Sequence, residues 1–408
     1  MNDKLRKYAE LTVKMGANVQ PDQYVMIFCS IENRKFARML AEECYKCKAK
    51  KVTVEWSDEK ISRLTYENCT TETLSIVENW KVEKFKWRRD NLPALIHIED
   101  EDPDLLKGID PEKVAKSSQA MMKQIKPIRD EMEDKYQWTI VAMPSKKWAK
   151  KVFPTLSGKE AKEKLMEQIY NICRITDTND PVAEWDAHNK KLSERSTKMN
   201  AYNFEYLHYK NGLGTDLMVG LADGHKWAGG MEKTLSGTPY NPNMPTEEIF
   251  TMPHCDKING TLVSTKPLVY NGVVIEGMKF EFKDGKVINA TATKNNDTLQ
   301  QILKMDENSN RLGEVALVPY NSPISNSNIL FFTTLIDENA SCHFALGDSY
   351  AMTLKGSETM SREEQRQKGA NSSIIHEDFM VGSPDLSITG ITHDGKEIPV
   401  FINGNFTF

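Results

Sequence analysis

Several common function classes leave marks that this chain lacks. Neither Gly-x-Gly-x-x-Gly nor a Walker-type Gly-Lys-Ser/Thr occurs, so no phosphate-cradling loop announces a nucleotide. Long apolar runs are missing too. The most continuous one in the second half, residues 329–336 (Ile-Leu-Phe-Phe-Thr-Thr-Leu-Ile), is far too short to span a bilayer. There is no excess of either charge: a net −5 gives no reason to expect nucleic acid or an anionic membrane as partner. Seven cysteines, an odd number scattered through the chain, argue against a disulfide framework and for a reducing compartment. The opening residues Met1-Asn2-Asp3-Lys4-Leu5-Arg6 run into a charged amphipathic pattern with no apolar core of a signal peptide. The expectation is a soluble, cytoplasmic protein. No internal repeat or low-complexity tract stands out.

With 408 residues, 39% hydrophobic and 27% charged, the chain is an ordinary globular protein, long enough that two domains are expected. Residues 3–16 predict a helix with Leu5, Tyr8, Ala9, Thr12 and Val13 on one stripe. Tyr24-Val25-Met26-Ile27-Phe28-Cys29 reads as a strand buried on both faces, residues 36–44 as a helix, and residues 51–56 as a second strand. Strand, helix, strand is a βαβ unit, and residues 95–98 and 138–143 add two further strands. The fold class expected is therefore an α/β N-terminal domain with a parallel sheet, residues 1–185. A charged helical stretch leads out of it. Residues 186–408 read as a β-rich α+β domain, from short strands at 216–221, 261–265, 278–282 and 286–290 and a hairpin signal at Asp284-Gly285. Cys44-Tyr45-Lys46-Cys47 is formally a C-x-x-C, but it lies inside a helical pattern with no second pair at zinc-ribbon spacing.

In Ser373-Ile374-Ile375-His376-Glu377-Asp378-Phe379-Met380-Val381-Gly382 an imidazole and two carboxylates interrupt an apolar strand pattern. Alternation puts His376 and Asp378 on one face, about 7 Å apart along the backbone, and Glu377 on the other. Alone, such a pair reads as a core histidine beside an acid. Three further apolar segments also carry ligand-type side chains: residues 243–251 with Glu247 and Glu248, residues 311–318 with Glu314, and residues 342–350 with His343 and Tyr350. A buried glutamate in Gly-Glu-Val-Ala-Leu-Val is costly unless paired or metal-bound. Imidazole with several carboxylates suits zinc, cobalt or manganese in a hydrolytic site, and the number of donors is enough for two ions. A structural metal site or a buried ion-pair network stays open at this point.

The motifs Asn-Met-Pro-Thr-Glu-Glu-Ile-Phe-Thr (243–251), Leu-Gly-Glu-Val-Ala-Leu-Val (312–318), His-Phe-Ala-Leu-Gly-x-x-Tyr (343–350) and Asn-Ser-Ser-x-x-His-x-Asp-Phe-Met-Val-Gly (371–382), in this order, resemble the aminopeptidase T family of metalloaminopeptidases across essentially the whole chain. The resemblance implies Glu248, Glu314, His343, His376 and Asp378 as ligands of two divalent ions per subunit (Zn, Co or Mn), placed in the C-terminal domain. It implies Tyr350 as a ligand or close phenol partner, able to hydrogen-bond a tetrahedral oxyanion. It is the family's pattern, not periodicity, that selects Glu248 over Glu247. Glu247 then reads either as a general base or as a residue on the strand's opposite face. The activity implied is removal of N-terminal residues from short peptides by a water activated between two ions, in a homodimer that encloses the site. An amidase or dipeptidase with the same metals, or a non-catalytic metal-containing binding protein, are the alternatives. Of the other histidines, His254 is a candidate for the cleft wall, His225 reads as a surface or rim position, and His97, His188, His208 and His393 read as structural.

Overall fold

The structure is a computed structural model that describes residues 3–100, 102–270 and 272–408. The chain forms two compact units: Met1–Ala187 with Met231–Pro245, and His188–Gly230 with Thr246–Phe408. The division falls inside one helix, Pro181–Tyr202. Residues 231–245 belong to the first unit, which nothing in their sequence announces. Among the described residues, no helix is long and apolar enough to cross a membrane.

The first unit is built on a five-stranded parallel sheet. Its strands are β1 (Tyr24–Ser30), β2 (Lys51–Ser57), β3 (Ala94–Glu99), β4 (Trp138–Ala142) and the two-residue strand Asn243–Met244, in the order β2, β1, β3, β4, Asn243–Met244. Continuous apolar runs suit strands covered by helices on both faces, and Val25, Met26, Ile27, Leu95 and Ile96 are buried. The helix Arg34–Lys46 turns Phe36, Met39, Leu40 and Cys44 inward. Burial pushes the Cys44 thiol up to about 12, so half of the C-x-x-C is an inert core position. The first helix, Asp3–Leu11, widens into a π turn at Thr12–Gly16. Gly16 permits that turn to lie against the sheet, because a Cβ there would meet Thr139 Oγ1 at 2.8 Å.

The second unit packs two antiparallel sheets. The larger has eight strands, among them Tyr206–Lys210, Asp216–Leu221, Pro253–Val263 and Lys279–Lys283. Asp284-Gly285 closes the expected hairpin to Lys286–Thr291 with positive φ at both residues, +48° and +77°. The smaller sheet has four strands: β5 (Ile249–Thr251), β6 (Leu312–Leu317), β7 (His343–Gly347) and β8 (His376–Met380), in that order. Its inner face meets the larger sheet through aromatic rings. Phe344 lies 5.1 Å from Tyr209, and Phe379 lies 4.9 Å from Phe280, centroid to centroid. All four are fully buried, at roughly 1.5–3 kcal/mol each relative to exposure.

In the first unit His97 stacks on Phe28, centroids 4.4 Å apart at 4°. Burial, reinforced by Arg88 and Arg129, lowers its pKa from 6.5 to about 4. The unfolded chain therefore takes up the proton first as pH falls below about 6.5, and the folded state loses stability until the pH nears 4. Denaturant unfolding of the wild type and of His97→Phe should diverge between pH 7 and pH 5, the wild type losing on the order of 2 kcal/mol more.

Candidate metal centre

The outer face of the small sheet carries the ligand-type side chains, and local backbone geometry decides which ones. Along β8, His376 and Asp378 alternate with Phe379, which points into the core. On β6 simple alternation would put Leu312, Glu314 and Ala316 on one face. Instead, Leu312, Val315 and Leu317 all join the core. A register shift between Leu312 and Glu314 inserts one extra residue and turns Glu314 outward. The bulge requires glycine at 313, where a Cβ would fall 2.1 Å from the Asp348 carbonyl oxygen. Glu248 immediately precedes β5, whose Ile249 is a core residue. There the backbone of Gly229 passes so near that a Cβ would lie 2.4 Å from the Glu248 carbonyl oxygen.

Two groups of donor atoms result, Glu248–Glu314–His343 and Glu314–His376–Asp378, each with all its atoms within 4.8 Å of one another. Glu314 belongs to both. Its Oε1 lies 3.5 Å from His343 Nε2, and its Oε2 lies 3.5 Å from His376 Nε2. His343 Nε2 is also 3.1 Å from Glu248 Oε2, and His376 Nε2 is 3.5 Å from Asp378 Oδ1. Each imidazole is oriented from behind. His343 Nδ1 donates to the Ser341 carbonyl at 3.2 Å and His376 Nδ1 to the Asp348 carbonyl at 2.8 Å. A carbonyl can only accept, so Nδ1 carries a proton and Nε2 is the nitrogen that faces the carboxylates.

The electrostatics call for positive charge. Burial opposes a charged His343, but Glu248 and Glu314 outweigh it and hold its pKa well above the usual range. For His376 the same contest, with Asp378 and Glu314 as partners, ends at about 10. Burial raises Glu314. Glu248 Oε2 and Asp378 Oδ1 are buried and accept no hydrogen bond. Oxygen and imidazole donors, unsatisfied buried carboxylate atoms and imidazoles drawn towards protonation fit a divalent ion in each group. The residues present suit a metal.

Tyr350 adjoins the second group, its ring centroid 4.4 Å from that of His376. Although the residue is 48% exposed, burial around its hydroxyl and the charges of Glu314 and Asp378 push its pKa up. Glu247 lies in neither group. It is buried, its backbone N–H donates to Asn339 Oδ1 at 2.7 Å, and its Oε2 is 3.8 Å from His188 Nε2. Sequence reasoning passed over Glu338. Its carboxyl interacts electrostatically with Asp378, Glu248, His343 and Glu314, and burial raises its pKa strongly. It sits in the short 3₁₀ turn Glu338–Ala340, which packs on β8. Such a turn has no periodicity to read; the only signal was an acid five residues before His343. Glu338 thus adds a fourth carboxyl group to Glu248, Glu314 and Asp378 around the centre.

The remaining histidines lie apart from the two groups. His225 is a correction: it is 3% exposed, not on the surface or rim, with Nδ1 against the Ala222 carbonyl. His254 falls beside Cys255 and Asp256. That trio is no rival centre, because Arg311 and Arg366 both pair with the Asp256 carboxylate, at 2.7 Å each.

A buried cluster of histidines and carboxylates on one sheet suits a metal-dependent enzyme, and comparison with known proteins supplies the class. The chain belongs to the thermophilic metalloprotease (M29) family, whose sequence model matches residues 1–406. It is 43% identical to aminopeptidase AmpS of Bacillus subtilis (strain 168) over all of this chain and 99% of that protein. It is 41% identical to aminopeptidase 2 of Geobacillus stearothermophilus over 99% and 98% of the two chains. The solved structure of wild-type AmpT from Thermus thermophilus superposes with a TM-score of 0.92 at 36% identity, covering 99% of each chain. A metalloprotease family implies a divalent metal.

Because Glu314 contributes one oxygen to each group, Glu314→Gln should weaken divalent-ion uptake at both, by about tenfold or more. Equilibrium dialysis against Zn²⁺ would measure it, and uptake at one group unchanged from wild type would count against the shared role.

Proposed function

We propose that this metalloprotease is an aminopeptidase that removes N-terminal residues from short peptides, and that Glu248, Glu314, His343, His376 and Asp378 hold two divalent ions with Glu314 shared between them. The observation that supports this best is the placement of the two Glu314 oxygens, each against a different histidine. Divalent ions such as Zn²⁺, Co²⁺ or Mn²⁺ supply Lewis acidity, lowering the pKa of a water towards about 7 and polarising the scissile carbonyl.

The chain's own residues do the rest. The backbone carbonyls of Ser341 and Asp348 keep both Nε2 atoms aimed inward. Tyr350, beside His376, donates its phenol hydrogen to the oxyanion that develops on the substrate carbonyl. The acidic cluster receives the substrate's α-ammonium group, which restricts cleavage to the first peptide bond. Glu247 accepts the proton released by the attacking water, with His188 behind it. Glu338 is the second candidate for that step, because it faces the same carboxylates and His343. The reading extends to a homodimer, from the family resemblance, and to a cytoplasmic location, from seven free thiols.

Chelator-treated protein should release chromophore from members of a panel of aminoacyl-anilides only after Zn²⁺, Co²⁺ or Mn²⁺ is restored. Silence across the whole panel with every metal would sink the aminopeptidase reading. Glu247→Gln with full metal content should lower kcat by about 10²-fold or more. A rate near wild type would move the base to Glu338, to be read from Glu338→Gln.

A further inference from the structure

Asn371 lies outside both donor groups, yet it holds the stretch that aims one of them. It is 1% exposed. Its side-chain Nδ2 donates to the Gly347 carbonyl at 2.7 Å and to the Asn308 carbonyl at 2.9 Å. Both partners can only accept, so the amide orientation is settled by its neighbours. Its backbone N–H donates to Ser349 Oγ at 3.0 Å, and its carbonyl accepts from the Ser349 N–H at 3.1 Å. Asn371 therefore grips the chain on both sides of Asp348. The Asp348 carbonyl receives the His376 Nδ1 proton at 2.8 Å, and the Asp348 N–H donates to the Ile375 carbonyl at 2.7 Å. Tyr350 follows directly on Ser349.

We propose that Asn371 is a positioning residue for the Glu314–His376–Asp378 group: by clamping residues 347–349 it fixes the carbonyl that sets the tautomer and direction of His376. The proposal rests on the two-ion reading above. His343 is oriented separately, by Ser341, through no bond to Asn371. The clamp thus acts on one group and not on the other. Removing the Nδ2 donors leaves the buried Gly347 carbonyl and the part-buried Asn308 carbonyl short of a partner, and the 347–349 turn relaxes away from His376. Outer partners of metal-binding imidazoles typically change metal affinity by about 10- to 100-fold.

The test is a Co²⁺ titration of the full chain, followed by visible absorption, with Asn371→Ala introduced into three backgrounds: wild type, His343→Ala and His376→Ala. Metal-free thermal unfolding verifies that each variant is folded, and Asn371→Ser, which retains one hydroxyl donor, stands in should the alanine variant not fold. The expected result is a loss of about 10- to 100-fold at one of the two wild-type sites. The same loss should appear at the site left in His343→Ala, and essentially none at the site left in His376→Ala. Equal weakening at both sites, or none at either, overturns the positioning role while leaving the two-ion reading intact. A wild type that takes up no Co²⁺ sinks the two-ion reading itself, and this proposal with it.

Discussion

Mutual repulsion of buried carboxylates is the constraint on which the rest of the centre depends. Glu314 brings its oxygens within 4.8 Å of Glu248 on one side and of Asp378 on the other, among strands whose other face is solid core. At an effective dielectric near 20, two like charges about 4 Å apart repel by roughly 4 kcal/mol. That exceeds the gain from burying any one of the rings behind them. Two imidazoles do not balance three or four ionised acids even when both are protonated. A divalent cation held by these side chains would offset the repulsion and take up the Nε2 lone pairs at the same time. The packed aromatic layer of Phe344, Phe379, Phe280 and Tyr209 then acts as the rigid backing against which this charge is held.

The backbone around the centre is specialised for that purpose. Glycines at 229 and 313 sit where a Cβ would collide with a carbonyl, and both close approaches serve a glutamate. The bulge at Gly313 is worth more to the site than to the sheet. Without it, Glu314 would share a face with Leu312 and point into the apolar core. Behind the imidazoles, two carbonyls and the Asn371 clamp do the aiming, so orientation is set by short hydrogen bonds inside the fold.

Much of this architecture was legible from the residues. The parallel strands announce themselves because sheets covered on both faces need unbroken apolar runs, as in Tyr24 to Cys29. Asp284-Gly285 predicts its hairpin because only such residues take two positive φ angles cheaply. His376 and Asp378 share a face because strand alternation demands it. Other features have no local cause. The strand Asn243–Met244 is two residues long and joins a sheet a hundred residues behind it, so no run length marks it. The bulge reverses alternation at one residue, and a single glycine in a strand does not say which way it will turn its neighbour. Glu338 enters through a 3₁₀ turn rather than a strand. Choosing Glu248 over Glu247 needed the family's pattern, since the pair precedes the strand and periodicity is silent there.

The central claim, that one glutamate joins two metal positions, is tested most directly by anomalous diffraction from crystals of the Zn²⁺-loaded protein. Two peaks are predicted in the small sheet's outer face, one beside Glu314 Oε1 and His343 and the other beside Glu314 Oε2 and His376. A single peak, or a pair to which Glu314 contributes at only one position, would contradict it.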